Sequence, residues 1–131
     1  MFGISTSAKV SSKPVEDATK KAGFKNFAHA AARITKDWRG TIVKSDVPSA
    51  PGQPPHTRGR GRHNLKGAGR FDATATDAVS GALSTWVGES ASAHEFGKVF
   101  KGVDFEERPF LLPALERNVD RFAQDWAGSI T

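Results

Sequence analysis

The chain has 131 residues, 37% hydrophobic and 25% charged, the size and composition of one folded domain, 1–131, of about 100–150 residues. No run approaches the roughly 18 apolar residues of a membrane span, and the first dozen residues hold no apolar stretch of the secretory-signal kind. Cysteine is absent, which excludes disulfides, thiolate zinc sites and thiol catalysis.

The net charge of +5 conceals an asymmetry. Residues 1–71 hold fourteen Lys/Arg against four Asp/Glu, whereas residues 72–131 hold five against ten. Opposite charges on separate surfaces let copies of one chain attract head to tail, and ordinary solvated surface charge accounts for them equally well.

The first predicted element is a helix over 14–39. Pro14 suits a first helical position, and Glu16 and Asp17 complement the positive end of the helix dipole. Phe27, Ala31, Ile34 and Trp38 then recur at steps of four, three and four, which line one face. Gly40 follows at the position that tolerates a left-handed stop.

Residues 41–69 change character. Four prolines in Pro48-Ser-Ala-Pro-Gly-Gln-Pro-Pro-His56 cannot continue a helix, and a basic glycine-rich run follows, Arg58-Gly-Arg-Gly-Arg-His-Asn-Leu-Lys66. A stretch this long without regular structure reads as an extended Pro/Gly/Arg-rich arm, mobile in the free chain and ordered in an assembly. Its contact residues are Pro51, Pro54, Pro55, His56, Arg58, Arg60, Arg62 and Lys66.

Residues 70–105 read as sheet. Phe71, Ala73 and Ala75 alternate with polar positions, and Val79 to Val87 supplies a second strand. Ala93 to Gly97 forms a short helical turn, and Val99-Phe100 and Val103 to Phe105 flank Lys101-Gly102 as a hairpin. A second amphipathic helix is predicted over 112–126, where Leu115, Val119, Phe122 and Trp126 repeat the stripe before Gly128. The order predicts an α+β fold: a small antiparallel or mixed sheet packed by the two helices, whose stripes meet as the core.

No catalytic arrangement emerges. His94-Glu95 lacks the second histidine four residues on that a zinc protease needs, because position 98 is Lys. His29, His56, His63 and His94 have no ligand spacing, and Gly59-Arg-Gly61 lacks the third glycine of a dinucleotide loop. Adjacent Glu106 and Glu107 would point to opposite faces of a strand. The expectation is a protein that is not an enzyme and takes no metal or cofactor. The segment 58–70 can bind nucleic acid through phosphate contacts, but no aromatic residue between His56 and Arg70 offers base stacking.

Three stretches together resemble the tail-completion, or head–tail joining, proteins of long-tailed bacteriophages and prophages. They are Pro48 to His56 followed by Leu65-Lys66; Ala93-His94-Glu95-Phe96-Gly97; and Arg108-Pro109-Phe110 with Leu-Leu-Pro-Ala114. The resemblance spans about residues 15–127. It implies a structural neck component of the virion, present in the host cytoplasm during assembly. Its partners would be other neck and tail proteins and copies of itself in a ring, usually six-fold, through which DNA passes. On that likeness the proline stretch aims the arm, Glu95-Phe96-Gly97 turns the chain between strands, and Arg108-Pro109-Phe110 seats the last helix. A strongly basic lumen would retain DNA, so the arm is expected to grip an acidic protein surface.

Overall fold

A computed structural model describes residues 2–58, 64–82 and 85–129. Helix α1 (Phe2–Thr41) is followed by strands β1 (Val43–Lys44) and β2 (His56–Thr57), then by β3 (Gly69–Ala73) and β4 (Ala78–Ala82). Helix α2 (Thr85–Phe96), strands β5 (Val99–Phe100) and β6 (Val103–Asp104), and helix α3 (Leu111–Ser129) complete the fold. It is α+β, with the N- and C-terminal helices packed together.

Helix α1 starts twelve residues before Pro14, which lies inside it. A proline there removes one backbone hydrogen bond, and the forty-residue helix accommodates that loss. Gly40 and Gly128 are helical rather than left-handed, so α1 runs to Thr41 and α3 to Ser129. Thr41 donates its hydroxyl to the Trp38 carbonyl at 2.7 Å, which supplies the end of α1 with a side-chain partner.

The strands form three separate two-stranded sheets instead of one. β1 and β2 pair in parallel, Val43 opposite His56. β3 and β4 form an antiparallel hairpin, Phe71 opposite Ser80, closed where Thr74 bonds the Asp77 carbonyl and carboxylate. β5 and β6 form the hairpin predicted around Lys101-Gly102, both of which take positive φ; that is the conformation whose twist matches a two-residue hairpin loop. The predicted strand over 79–87 ends at Ala82, and the predicted short turn at 93–97 is the end of the twelve-residue α2. Helical spacing was masked in α2 by its small residues, Gly88, Ser90, Ala91, Ser92 and Ala93, which suit either period.

α3 lies antiparallel along the second half of α1. Asn26 bonds Ser129, Arg33 pairs with Asp125 at 2.7 Å, and Asp37 accepts from Arg117 at 2.6 Å and Asn118 at 2.9 Å. On the other side of α1 the β3–β4 hairpin is held by Ser80, whose hydroxyl meets both Thr35 and the Trp38 indole. Trp38, Ile42, Leu65, Ala68, Val87, Ala91, Phe110 and Ala114 form the buried core.

That core differs from the two stripes predicted to meet. Trp38 and Ala31 are buried and Phe122 and Trp126 partly so, but Leu115 and Val119 are about half exposed. The polar side chains Arg117, Asn118 and Asp125 reach α1, with Ala114 at the close approach. This turns the apolar stripe of α3 about a quarter-turn away from α1.

Candidate functional site

The three sequence stretches that carry the resemblance converge on one junction between α2, α3 and the proline segment. Glu95, in the last turn of α2, is buried. Its carboxylate accepts the backbone N–H groups of Phe110 at 2.8 Å, Leu111 at 2.9 Å and Leu112 at 2.9 Å. The first N–H groups of a helix have no partner within it and carry its positive end. Glu95 therefore satisfies three of them from another element. Pro113, next in line, has no N–H to satisfy.

Gly97 ends α2 with φ of 67°. Its N–H and that of Lys98 both bond the Ala93 carbonyl, at 2.8 and 3.1 Å, which closes the helix. A side chain there would also crowd the Glu107 backbone. The turn thus connects α2 to β5, not two strands as the resemblance suggested, and it leaves Phe96 two-thirds exposed.

Arg108 clamps the proline segment. Its Nε and Nη2 both donate to the Ser49 carbonyl, at 3.1 and 2.9 Å, while its own N–H bonds the His94 carbonyl. Gly52 donates to the Glu107 carbonyl, and His56 bonds the Val47 carbonyl through Nδ1. Pro55 is fully buried, Pro54 and Pro109 are half-buried and Pro51 is exposed. Phe110 is buried edge-on against Trp38, ring centres 5.4 Å apart. The His94 ring packs edge-on against Phe105 at 4.7 Å with its Nδ1 buried and unpartnered. Burial, aided by the nearby Arg108 charge, pushes the His94 pKa below the ordinary histidine value.

The described part of 41–69 is accordingly docked on its own domain and is not a free arm. The physical reason is Pro55, Leu65 and Ala68, apolar anchors at the two ends of the basic run. Arg60 and Arg62 lie outside the described residues. Arg58 is exposed and lines a cleft of about 570 Å³ together with His56, His94, Asp104, Glu106 and Arg108. The base of the basic run thus shares a cleft with Asp104 and Glu106 of its own chain. Lys66 reaches back to the Ile42 carbonyl at 3.3 Å. Arg39 bonds the Lys66 carbonyl and Arg70 those of Gly67 and Gly69, so three cations surround one turn.

A second feature had no expectation attached to it. Because α3 turns its stripe away from α1, an apolar groove of about 530 Å³ opens between α1, β4 and α3. Phe27, Ala31 and Ile34 line it from α1, and Leu112, Leu115 and Val119 from α3. Val79 and Phe96 add exposed apolar surface to its walls. The signal available in sequence was the width of the α3 stripe, since Leu111 and Leu112 extend it beyond what one helix partner can cover.

Among the described residues no helix is long and apolar enough to cross a membrane. Compared with protein-family models, with curated proteins and with solved structures, the chain matches none.

Proposed function

We propose that this protein is a structural component of a phage particle, joining head to tail at the neck, and that it works by contact with other proteins and with copies of itself. The observation that carries the reading is the convergence of the three resembling stretches. Residues 48–56, 93–97 and 108–114 are separate in sequence, yet Glu95 fastens the second stretch to the third through three backbone N–H groups, and Arg108 fastens the third to the first through the Ser49 carbonyl. Such a junction fixes the direction of the last helix and of the basic segment, which is what a connecting part needs from its most distinctive residues.

In this reading the protein is not an enzyme and takes no cofactor. It acts in the virion after assembly in the host cytoplasm, probing acidic neck or tail surfaces with Arg58, Arg60 and Arg62. Gold-labelled antibody on intact particles tests the placement: label belongs where the tail meets the head, and label along the tail or inside disrupted heads contradicts it.

The cluster of Arg39, Lys66 and Arg70 around one turn favours an alternative, a nucleic-acid-binding protein using 58–70. Duplex binding through three phosphates would weaken with a log–log salt slope of about −3. Replacing Arg58, Arg60 and Arg62 by Ser separates the two. Loss of DNA affinity with normal particle joining supports the alternative; loss of joining supports the neck role.

A further inference from the structure

We infer that the apolar groove is a socket for the exposed stretch of α1 around residues 13–25 from a second copy of this chain. The inference rests on the self-association in the reading above, but not on a place in the virion. It starts from two unsatisfied surfaces at different places on one molecule.

The first surface is the groove. Its apolar walls run along α3 from Leu111 to Phe122, about 16 Å at helical rise, or three turns. Val79, Phe96, Leu112, Leu115 and Val119 are each about half exposed or more. Beside Leu112 and Val119, on the outer lip of α3, stand Glu116 and Asp120, one turn apart. Both are exposed and enter none of the ion pairs among the described residues.

The second surface is α1 itself. The last elements packed on it toward its start are Ser129 at Asn26 and the Ala75 carbonyl at Gly23. Residues 13–21 are all exposed, so this stretch of the helix runs clear of the body. Isolated helices of this length are marginal in water, and Pro14 weakens this one further. A partner packed along this stretch would stabilise it. In sequence Val15, Ala18 and Ala22 fall at helical spacing on one stripe. The residues at 18 and 22 are small, which lets a helix backbone approach closely. Lys21 and Lys25 flank that stripe on one edge, one turn apart, exposed and outside the described ion pairs.

The stretch from Val15 to Ala22, about 10 Å at helical rise, fits within the groove, and the lysine pair is opposite in charge to the carboxylate pair and has the same i, i+4 spacing. An amphipathic helix lying in an apolar groove is a recurrent recognition mode. Since each chain carries one such stretch and one socket, the contact is heterologous: it propagates from copy to copy and closes as a ring where the rotation permits.

The test is sedimentation of the full chain at low salt and about 1 mM, where even a millimolar Kd populates a complex. Three variants are compared, each checked for helix content: Leu115→Asp in the socket, Glu116→Lys with Asp120→Lys on its lip, and Lys21→Glu with Lys25→Glu on the exposed edge of α1. The native chain associates beyond a dimer, and each variant weakens association by about tenfold or more, equivalent to about 1.4 kcal/mol. Mixing the Leu115→Asp chain with the Lys21→Glu, Lys25→Glu chain leaves one sound joint per pair and yields a dimer that grows no further. Combining both charge reversals in one chain restores association. A native chain that stays monomeric overturns the inference. So does association that the Leu115→Asp change abolishes and the lysine reversal leaves untouched, which would mean that two grooves face each other. The measurement reads the joint alone, so its failure removes the joint and not the neck role, which labelled particles test.

Discussion

At the residue scale, Glu95 accepts three hydrogen bonds at the start of α3. Glu95→Ala leaves three N–H groups of α3 without their acceptor, and a buried unsatisfied group costs about 1–3 kcal/mol. The expected loss in urea denaturation is therefore about 3 kcal/mol or more, with Glu95→Gln losing less because one acceptor oxygen remains. An unchanged midpoint for Glu95→Ala would mean that the N-terminus of α3 is held by something else. His94 makes stability depend on pH. Its pKa is lower in the folded chain than in the unfolded one, so the unfolded state binds the proton first. The contribution is present above about pH 6.5, the unfolded value, and is lost as pH falls below it. The Arg117–Asp37 and Arg33–Asp125 pairs hold both carboxylates below the usual range, so their contribution fades only below about pH 4. Denaturation profiles should decline in two separate steps, and His94→Phe should remove the first.

At the element scale, the seating of α1 depends on one missing side chain. Gly23 in mid-helix costs about 1 kcal/mol against alanine, yet an alanine methyl there would overlap the Ala75 carbonyl oxygen at the tip of the β3–β4 hairpin. Gly23→Ala is expected to destabilise the protein despite its better helix propensity; a gain in stability would show that the hairpin tip moves aside freely. Trp38→Ala, in the core and bonded to Ser80, is expected to cost about 3–5 kcal/mol, and Trp126→Ala clearly less, because Trp126 packs at the rim with Phe27 and Phe122. Both long helices and the Lys101-Gly102 turn were legible because period and turn chemistry are local signals. The rotation of α3 was not: it is decided by Arg33, Asp37, Arg117 and Asp125 pairing across 80 or more residues. The convergence of Glu95 on Phe110 was equally hidden, since no local pattern tells a surface glutamate from a capping one.

At the scale of the whole molecule, the proline and glycine content of 41–69 suggested an arm waiting for a partner, while the fold holds most of that segment in place. Lys44 sits in a strand pair extended by Ser45 bonding the Thr57 carbonyl, so trypsin is expected to spare the Lys44–Ser45 bond in the native chain; an early cut there would contradict the docked segment. Among the described residues, the apolar groove and residues 13–21 of α1 lie uncovered, and these are the two surfaces that the proposed joint brings together. The neck role makes one result decisive. When the gene is removed from its parent genome and particles are counted by electron microscopy, the proposed neck role predicts filled heads and separate tails, with joined particles restored by supplying the native chain. Normally joined, infectious particles in its absence would contradict it.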